Sequence, residues 1–317
     1  IALADLADQC STRLGLPVSP ALFYSFGTLR QVSAHLAAEV IATPPAPQAE
    51  LTPAAVRSLS PSDDAVAIVG VSAAFPGAAD VETFWQNLKA GRRAITEIPS
   101  DRWDWRALMG DPKSEAGKTD IRWGGFLDDI AGFDPLFFGI SPREAEYMDP
   151  HQRLLLTHAW RAIEDAGIAP ATLSGSNTAV FMATSASEYA AMAREAGLIL
   201  QQLSPSGVVG SLGPNRISHL LNLGGPSEPV ETACSSALVA LHRAVEAIRG
   251  GCDGAIVGAV NTILVPHGHV SFARSGMLSP DGECRSFADD ANGYVRSEGV
   301  AVMMLRRLSD AQRDGLP

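Results

Sequence analysis

Cys234 is the side chain in this sequence with the clearest potential for covalent chemistry. It lies in the run VETACSS at residues 230–236, where a strand is predicted to turn into a helix. The first backbone N–H groups of a helix lack partners within the helix, and the helix dipole adds partial positive charge there. Both effects stabilise a thiolate at this point, so the sequence predicts a nucleophilic cysteine.

The helix after Cys234 is predicted from apolar residues at helical spacing. These residues are Leu238, Leu241, Val245 and Ile248. Alanines among them permit close packing, and two glycines at residues 250–251 end the helix. Strand, tight turn, nucleophile and helix form the same arrangement as the serine elbow of hydrolases, although the flanking glycines of that motif are absent. The alternative is an inert cysteine packed as a small hydrophobe, but the serine pair and the alanine-rich helix favour the nucleophile.

The composition is that of a globular protein with a large core. The chain has 317 residues, 46% of them hydrophobic, which suffices for one main domain and an appendage. A formal net charge of -11 without a basic patch argues against nucleic acid and anionic membrane surfaces as partners. No stretch approaches the roughly 20 apolar residues of a membrane span. Four widely spaced cysteines, with no CxxC pair and no signal peptide, predict a cytoplasmic protein.

Three regions follow one another along the chain. Residues 1–41 have apolar positions at helical spacing, but about 40 residues rarely sustain a core of their own. Residues 42–63 are rich in proline and alanine and lack an apolar period, so they are predicted to be a linker. Residues 64–317 form the main domain. Because the chain begins with Ile1 and ends on a turn after an apolar strand, we expect both ends to continue in a longer polypeptide.

The main domain alternates short apolar runs with helical segments. Buried strands are predicted at residues 65–71, 178–183, 255–260 and 300–305. Helices are predicted at residues 80–90, 142–147, 152–166 and 235–249. This alternation predicts an α/β fold with a largely covered sheet.

A series of short motifs extends through the main domain. They are VAIVG (66–70), FPG (75–77), Trp85, PSDRW (99–103), GFL (125–127), FDP (133–135), FFGISPREA (137–145), MDPHQRLLL (148–156), NRIS (215–218), GPS (225–227), ETACSS (231–236), GMLSPDG (276–282) and GYVRSEG (293–299). Together they resemble the N-terminal part of the ketosynthase (β-ketoacyl synthase) of type I modular polyketide synthases, over residues 65–317. The resemblance implies a thiolase-like fold with layered α/β architecture. This family usually has Asp where the chain has Glu231, a mild difference that leaves the thiol in place.

The resemblance implies that Cys234 takes an acyl chain from carrier-bound phosphopantetheine, and that this chain is then extended by decarboxylative Claisen condensation. The family uses two histidines to assist decarboxylation and stabilise the oxyanion. Both lie in the second half of the fold, after the last residue of this sequence. We therefore expect an acyltransferase whose isolated 317-residue piece is inactive.

Two alternatives to an elongating ketosynthase stay open. The first is a non-elongating ketosynthase that serves only as an acyl-transfer and docking module. The second is a thiol hydrolase on an unrelated α/β fold, which would need a histidine within hydrogen-bond reach of Cys234.

Residues 1–41 are similar to the C-terminal part of an acyl carrier domain, through LGL at residues 14–16 and FGTL at residues 26–29. In that family phosphopantetheine is attached to a serine, which the pattern puts just before Ile1. The resemblance therefore implies no covalently bound cofactor in this segment and phosphopantetheine on the carrier domain. It implies three kinds of partner: acyl carrier domains with their acyl-phosphopantetheine thioesters, the remaining modules of the synthase, and a second copy in a homodimer formed by the ketosynthase.

The seven histidines of the chain supply no second catalytic group. His242 is eight residues beyond Cys234 on the predicted helix, about 12 Å along its axis, which is too far for proton transfer. His267 and His269 form a His-x-His loop, but no Cys, Asp or Glu nearby completes a metal site. The other four are expected to have structural roles. They are His35, His151, His158 and His219.

Four charged residues inside the motifs are predicted to form buried pairs that fix the fold rather than to catalyse. They are Asp149, Arg153, Arg296 and Glu298. The other cysteines are predicted to be packing or surface thiols. They are Cys10, Cys252 and Cys284. Cys234 is therefore the one predicted catalytic residue, and no metal ligand is predicted.

Overall fold

The structure of the chain is a computed structural model, which describes residues 2–19, 22–26, 29–42, 65–184, 188–196 and 205–317. It divides into two units, residues 1–59 and residues 60–317. The linker predicted over residues 42–63 lies outside the described residues, except for Ala42, which ends a helix. None of the described helices is long and apolar enough to cross a membrane.

The first unit consists of three helices, which confirms the helical prediction for residues 1–41 where the structure describes them. They are α1 (Ala2–Leu14), α2 (Leu22–Ser25) and α3 (Leu29–Ala42). Side chains from α1, α3 and the segment between them form a small core. They are Ala7, Val18, Val32 and Leu36. A core of this size contributes little stability, as expected for about 40 residues.

The second unit contains all four predicted strands and all four predicted helices. Its elements are, in chain order, β1 (Val66–Ala74), α4 (Val81–Lys89), β2 (Thr96–Glu97), β3 (Trp123–Gly124), α5 (Pro142–Tyr147), α6 (Pro150–Asp165), β4 (Thr178–Ala183), α7 (Tyr189–Glu195), α8 (Pro205–Val208), α9 (Leu212–Leu221), β5 (Ser227–Val230), α10 (Ser236–Arg249), β6 (Gly254–Asn261), α11 (His267–Arg274), β7 (Gly299–Arg307) and α12 (Leu308–Asp314). Short 3-10 turns lie at Trp105–Leu108, Pro170–Leu173 and Ala233–Ser235.

Five strands form a mixed sheet in the order β1-β7-β6-β4-β5, and β2 and β3 form a separate pair. β4 runs parallel to β5 and β6, whereas β7 runs antiparallel to β6 and β1. The carboxyl ends of β4, β5 and β6 therefore meet at one edge of the sheet. In open α/β sheets, ligands bind outside such carboxyl ends.

Helices cover both faces of the sheet, as the alternating pattern predicts. Alternate side chains of β4 belong to two different cores: Val180 and Met182 pack with α6, and Phe181 packs with α10. α6 lies so close to β1 that a Cβ atom on Gly70 would lie 2.1 Å from the Ala162 carbonyl oxygen. The sheet with its two helices fixes the positions of the loops at the carboxyl edge.

Candidate active site

Cys234 lies where β5 ends and α10 begins, as the sequence predicts. Ala233–Ser235 form a 3-10 turn, and the α-helix starts only at Ser236. The predicted helix start at residue 235 is one residue early, and the thiol belongs to the turn before α10 rather than to the helix. Cys234 is exposed, so a ligand at the carboxyl edge of the sheet can reach its sulfur.

The turn that carries the thiol has an uncommon backbone conformation. Ala233 has a φ of 53°, in the left-handed region that residues other than glycine rarely adopt. This conformation costs about 1 kcal/mol or more and persists where the surroundings enforce it, often at functional sites. An alanine thus makes the sharp reversal for which serine elbows use flanking glycines.

Side-chain hydrogen bonds around the thiol enforce this turn. The Thr232 N–H donates to the Ser236 hydroxyl at 2.7 Å, and that hydroxyl donates to the Ala233 carbonyl at 2.7 Å. The Ser235 hydroxyl donates to the Thr232 carbonyl at 2.9 Å. The Ala233 N–H donates to a carboxylate oxygen of Glu231 at 3.3 Å. The serine pair that marks the motif therefore holds the turn that positions the sulfur.

The loops after β4 and β6 are tied together at the same edge of the sheet. Glu188 follows β4, and one of its carboxylate oxygens accepts the N–H groups of Leu264 and Val265 at 3.1 Å each. Leu264 and Val265 lie in the loop between β6 and α11. Hydrogen bonds to a carboxylate are stronger than those between neutral groups, so this contact holds the two loops together at the carboxyl ends of β4 and β6.

Arg296 and His269 form a hydrogen-bonded pair close to the start of β7. Arg296 Nη1 donates to His269 Nδ1 at 3.2 Å, and His269 Nε2 donates to the Trp123 carbonyl at 3.3 Å. Burial, together with the charge of Arg296, lowers the pKa of His269 to about 4, so the imidazole is neutral near pH 7. The Arg296 guanidinium also lies over the Phe272 ring, 5.4 Å from its centroid.

The His-x-His loop prediction is wrong, because the pair begins a helix. α11 starts at His267, and His269 in its first turn is buried with its ring edge-on to Trp103. His267 is exposed and lies 3.9 Å from Glu195. Among the described residues, no group of three or more His, Cys, Asp or Glu side chains could hold a metal ion.

Glu298 connects three segments that are far apart in sequence. Its buried carboxylate accepts the N–H groups of Leu127 at 2.8 Å and Ile263 at 2.9 Å, and it pairs with Arg102 at 3.2 Å. Breaking a buried pair of this kind typically costs about 3 to 5 kcal/mol. These contacts are those of a residue that fixes the fold.

The charged residues at the start of α6 also make structural contacts. Asp149 accepts the His151 N–H at 2.8 Å and so caps the helix. Arg153 donates to the Ala131 carbonyl at 3.0 Å. Between them in sequence, the Gln152 side chain accepts a hydrogen bond from Arg216 at 2.8 Å. The MDPHQRLLL and NRIS motifs are thereby joined in space.

The remaining histidines lie on helices. His158 is buried in α6, 2.8 Å from the Ser72 hydroxyl, and burial and the charge of Arg161 lower its pKa to about 4. His242 is exposed on α10. The other three are His35 in α3, His151 in α6 and His219 in α9.

The remaining cysteines lie at partly or fully exposed positions. Cys10 and Cys252 are partly buried, whereas Cys284 is exposed. The Cys284 sulfur accepts the Val295 N–H at 3.1 Å. Cys234 and Cys284 are thus the two exposed thiols in the described part of the chain.

Tyr294 is not among the predicted site residues. Burial raises the pKa of its phenol, Arg296 opposes that change, and the charge of Cys234 adds to it. The GYVRSEG motif contains this residue, but nothing in the motif indicates an electrostatic influence from Cys234.

These features define a class of protein: a mixed α/β fold with thiolase-like layering and an exposed thiol on a strand-to-helix turn. A family profile described as the N-terminal domain of β-ketoacyl synthase matches residues 63–311. The chain belongs to the β-ketoacyl synthase family.

The relatives of the chain are polyketide synthases. It is 49% identical over 269 residues to the polyketide synthase PksN of Bacillus subtilis, an alignment that covers 84% of this chain and 5% of that protein. It is 40% identical to the polyketide synthase PksR of the same organism over 333 residues, covering 98% of this chain and 12% of that protein. The chain thus spans a small part of the length of the curated relatives it matches.

Solved ketosynthase structures share the fold. The ketosynthase from module 6 of the bacillaene synthase of Bacillus subtilis 168 superposes with a TM-score of 0.69 at 40% identity, covering 78% of this chain and 41% of that one. The oxazolomycin ketosynthase domain OzmH KS7 of Streptomyces albus JA3453 superposes with a TM-score of 0.74 at 39% identity, covering 80% of this chain and 45% of that one. The match confirms the predicted α/β, thiolase-like architecture.

Proposed function

We propose that Cys234 is the acyl-accepting nucleophile of a polyketide synthase ketosynthase. The observation that carries this proposal is an exposed thiol on the strained turn after β5, within a chain of the β-ketoacyl synthase family. A sulfur held at a fixed place on the carboxyl edge is accessible to a thioester brought by a flexible arm. Its neighbours in sequence serve to hold the turn and leave the sulfur free to react.

In the first half-reaction, the Cys234 thiolate attacks the carbonyl carbon of an acyl thioester on phosphopantetheine. A new S–C bond forms, the S–C bond to the carrier breaks, and the carrier thiolate leaves and takes up a proton. In the second, a malonyl-type extender loses carbon dioxide, and the resulting carbanion attacks the acyl carbon. A C–C bond forms and the Cys234 thiolate leaves.

Two observations favour this function over the thiol hydrolase. In the part of the chain that the structure describes, no histidine is hydrogen-bonded to Cys234, which a hydrolase would use as its general base. His242, on the helix after Cys234, is exposed and too far along the axis. The histidines of the condensation would then come from further residues of a longer polypeptide.

The proposal includes the surroundings of the ketosynthase. Residues 1–41 would be the C-terminal part of an acyl carrier domain, whose phosphopantetheine-bearing serine precedes Ile1. Carrier domains with their acyl thioesters and the other modules of the synthase would be the partners, and the ketosynthase would form a homodimer. The three described helices of the first unit support the carrier assignment.

The test is acyl loading of the full-length protein by a synthetic acyl-pantetheine thioester, followed by peptide mass spectrometry. We expect the acyl group on Cys234 in the wild type and no loading of Cys234→Ala. Cys284→Ala, which removes the other exposed thiol, is the matched control and should load normally. Normal loading of Cys234→Ala would refute the proposal. Loading without product on addition of malonyl-carrier would instead indicate the transfer-only ketosynthase.

A further inference from the structure

A cavity of about 680 Å³ lies between α6 and α9. Side chains of both helices belong to the core that contains Val180 and Met182, whereas α10 packs with Phe181 on the other face of the sheet. The cavity is therefore on the face of the sheet away from α10. Its volume falls within the roughly 300 to 1,000 Å³ that is typical of small-molecule sites.

The apolar wall of the cavity is preformed. Phe138 is stacked on Phe133, with ring centroids 5.2 Å apart, and lies edge-on to Phe137 at 4.9 Å. These contacts fix the plane of the Phe138 ring. Further apolar side chains from the following segment, from α6 and from α9 line the cavity. They are Ile140, Leu156, Leu212 and Leu220. A ligand would therefore meet an apolar surface that needs no rearrangement.

Arg216 is the cation of the cavity, and its guanidinium is held along one edge. Nε donates to the Gln152 side-chain oxygen at 2.8 Å, and Nη2 lies 2.8 Å from a carboxylate oxygen of Glu144. The side chain is only 16% exposed, so these contacts fix the planar group. Nη1 has no hydrogen-bond partner among the described residues and is not enclosed. A ligand oxygen at Nη1 would satisfy a donor that is already oriented.

Helix α9 presents further polar groups beside Arg216. Residues 212, 215, 216 and 219 share one face of the helix, because they lie three or four positions apart. The side chains of Asn215 and His219 are exposed and line the cavity. An amide and an imidazole can each donate or accept a hydrogen bond. The polar side of the cavity is thus formed by one face of α9.

The charges of the lining favour an uncharged ligand. Arg216 and Glu144 carry opposite charges and lie against each other, so the pair offers an anion little net attraction. An anion would also lose its hydration beside the apolar wall, which is unfavourable for a charge without a full counter-charge. A neutral acceptor oxygen can bond to Nη1 without that loss.

We propose that this cavity binds small uncharged molecules that have an apolar body and a carbonyl oxygen. The apolar body lies against Phe138, Leu156 and Leu212, and the carbonyl oxygen accepts a hydrogen bond from Arg216 Nη1. A neutral amide, ester or ketone has this chemistry, whereas a carboxylate does not. The site does not involve Cys234, so the inference is independent of the proposed function.

The test compares 4-phenylbutanamide with 4-phenylbutanoate, which have the same carbon skeleton but differ in charge. Binding to the full-length protein is measured by isothermal titration calorimetry. We expect the amide to bind with a dissociation constant of about 1 mM or lower, as is usual for a ligand of this size. The carboxylate should bind at least about fivefold more weakly, because it loses more hydration.

Two variants locate the site. Arg216→Gln should weaken amide binding by about tenfold, since it removes a charged donor. Arg249→Gln, the same change on a surface ion pair of α10, should leave binding unchanged. Leu212→Trp places an indole in the cavity without touching the contacts of Arg216, and it should also weaken amide binding by about tenfold or more. Leu88→Trp, at an exposed position of α4, is its matched control and should bind normally.

The remaining outcomes overturn the inference. If the wild type does not bind the amide, or binds the carboxylate as tightly, the assigned class of ligand is wrong. If folded Arg216→Gln binds the amide as the wild type does, Nη1 is not the donor. Should Arg216→Gln fail to fold, Leu212→Trp decides: weaker binding supports the cavity, and unchanged binding places the ligand elsewhere.

Discussion

Helices α6 and α10 pack on opposite faces of one sheet, but they are buried to very different extents. Ten of the 16 residues of α6 are buried, against three of the 14 residues of α10. Leu155 of α6 is 0% exposed, whereas Leu238 of α10 is 72% exposed. The α6 face is a complete core. On the other face of the sheet, α10 has apolar side chains that are exposed to solvent, and it follows directly on the exposed thiol of Cys234.

The two helices therefore have different roles. α6 stabilises the sheet, with the close approach at Gly70 as the clearest sign. α10 packs on the sheet through three buried residues, Ala240, Ala244 and Ile248, and its start supports the turn of Cys234. The exposed side chains of α10, such as Leu238, contribute little to the core of this chain.

The same substitution on both helices gives the largest expected effect. In the 317-residue chain, Leu155→Ala should lower the free energy of unfolding by about 3 kcal/mol, because it leaves a cavity in a closed core. Leu238→Ala should change it by less than about 0.5 kcal/mol, because that side chain is already in water. Urea unfolding measures both changes, provided that the free energy of unfolding falls with urea concentration at the same slope in the variants and the wild type. Equal losses from the two variants would show that α6 and α10 contribute equally to the stability of the core.

A second prediction uses the histidines of the two helices. The pKa of buried His158 is lowered to about 4, so the folded state keeps the ring neutral where the unfolded chain, with a pKa near 6.5, binds a proton. Its contribution to stability is therefore complete above about pH 6.5 and is lost as the pH falls toward 4. For this one group, the free energy of unfolding changes by at most about 1.4 kcal/mol per pH unit.

Unfolding measured between pH 4 and 7 tests this dependence. His158→Gln should reduce the slope, and His242→Gln on the exposed face of α10 should leave it unchanged. His269, with a pKa also lowered to about 4, supplies the slope that remains in His158→Gln. If the pH dependence of the free energy of unfolding is the same in His158→Gln as in the wild type, His158 does not contribute to it.

The parts of the fold that could be predicted from sequence are those with a strong local pattern. The strand at residues 178–183 was predicted with its observed bounds, and α6 and α10 within two residues, because buried runs and helical spacing repeat over several turns. Cys234 was predicted from a motif and its place before a helix. Whether it is the nucleophile stays a prediction until loading is measured.

What could not be predicted depends on contacts distant in sequence or on backbone detail. An alanine gives no sign of positive φ, so the strained turn at Ala233 is visible only in the structure. The contacts of Glu298 with Arg102, Leu127 and Ile263 join segments that no local pattern links. The start of α11 follows Pro266 and contains Gly268, which predict a turn, and no side chain caps it, so the sequence predicts a loop where the structure has a helix.

The starts of the two helices give the smallest expected effects and the sharpest contrast. Asp149 caps α6 through the His151 N–H, whereas the Ser236 hydroxyl at the start of α10 bonds to Thr232 and Ala233 around the thiol. Asp149→Ala should therefore lower the free energy of unfolding by about 1 kcal/mol and leave acyl loading of the folded protein unchanged. Ser236→Ala should cost less stability, since its hydrogen bonds are exposed, but slow loading severalfold because the turn loosens.

Loading kinetics and urea unfolding, measured on both variants, separate the two roles. If Ser236→Ala loads at the wild-type rate, the hydroxyl network does not position the sulfur, and the turn is held by the helix behind it. If Asp149→Ala slows loading as much as Ser236→Ala, the two faces are coupled through the sheet. The two helix starts have different roles only if Asp149→Ala lowers stability without slowing loading, and Ser236→Ala slows loading with a smaller loss of stability.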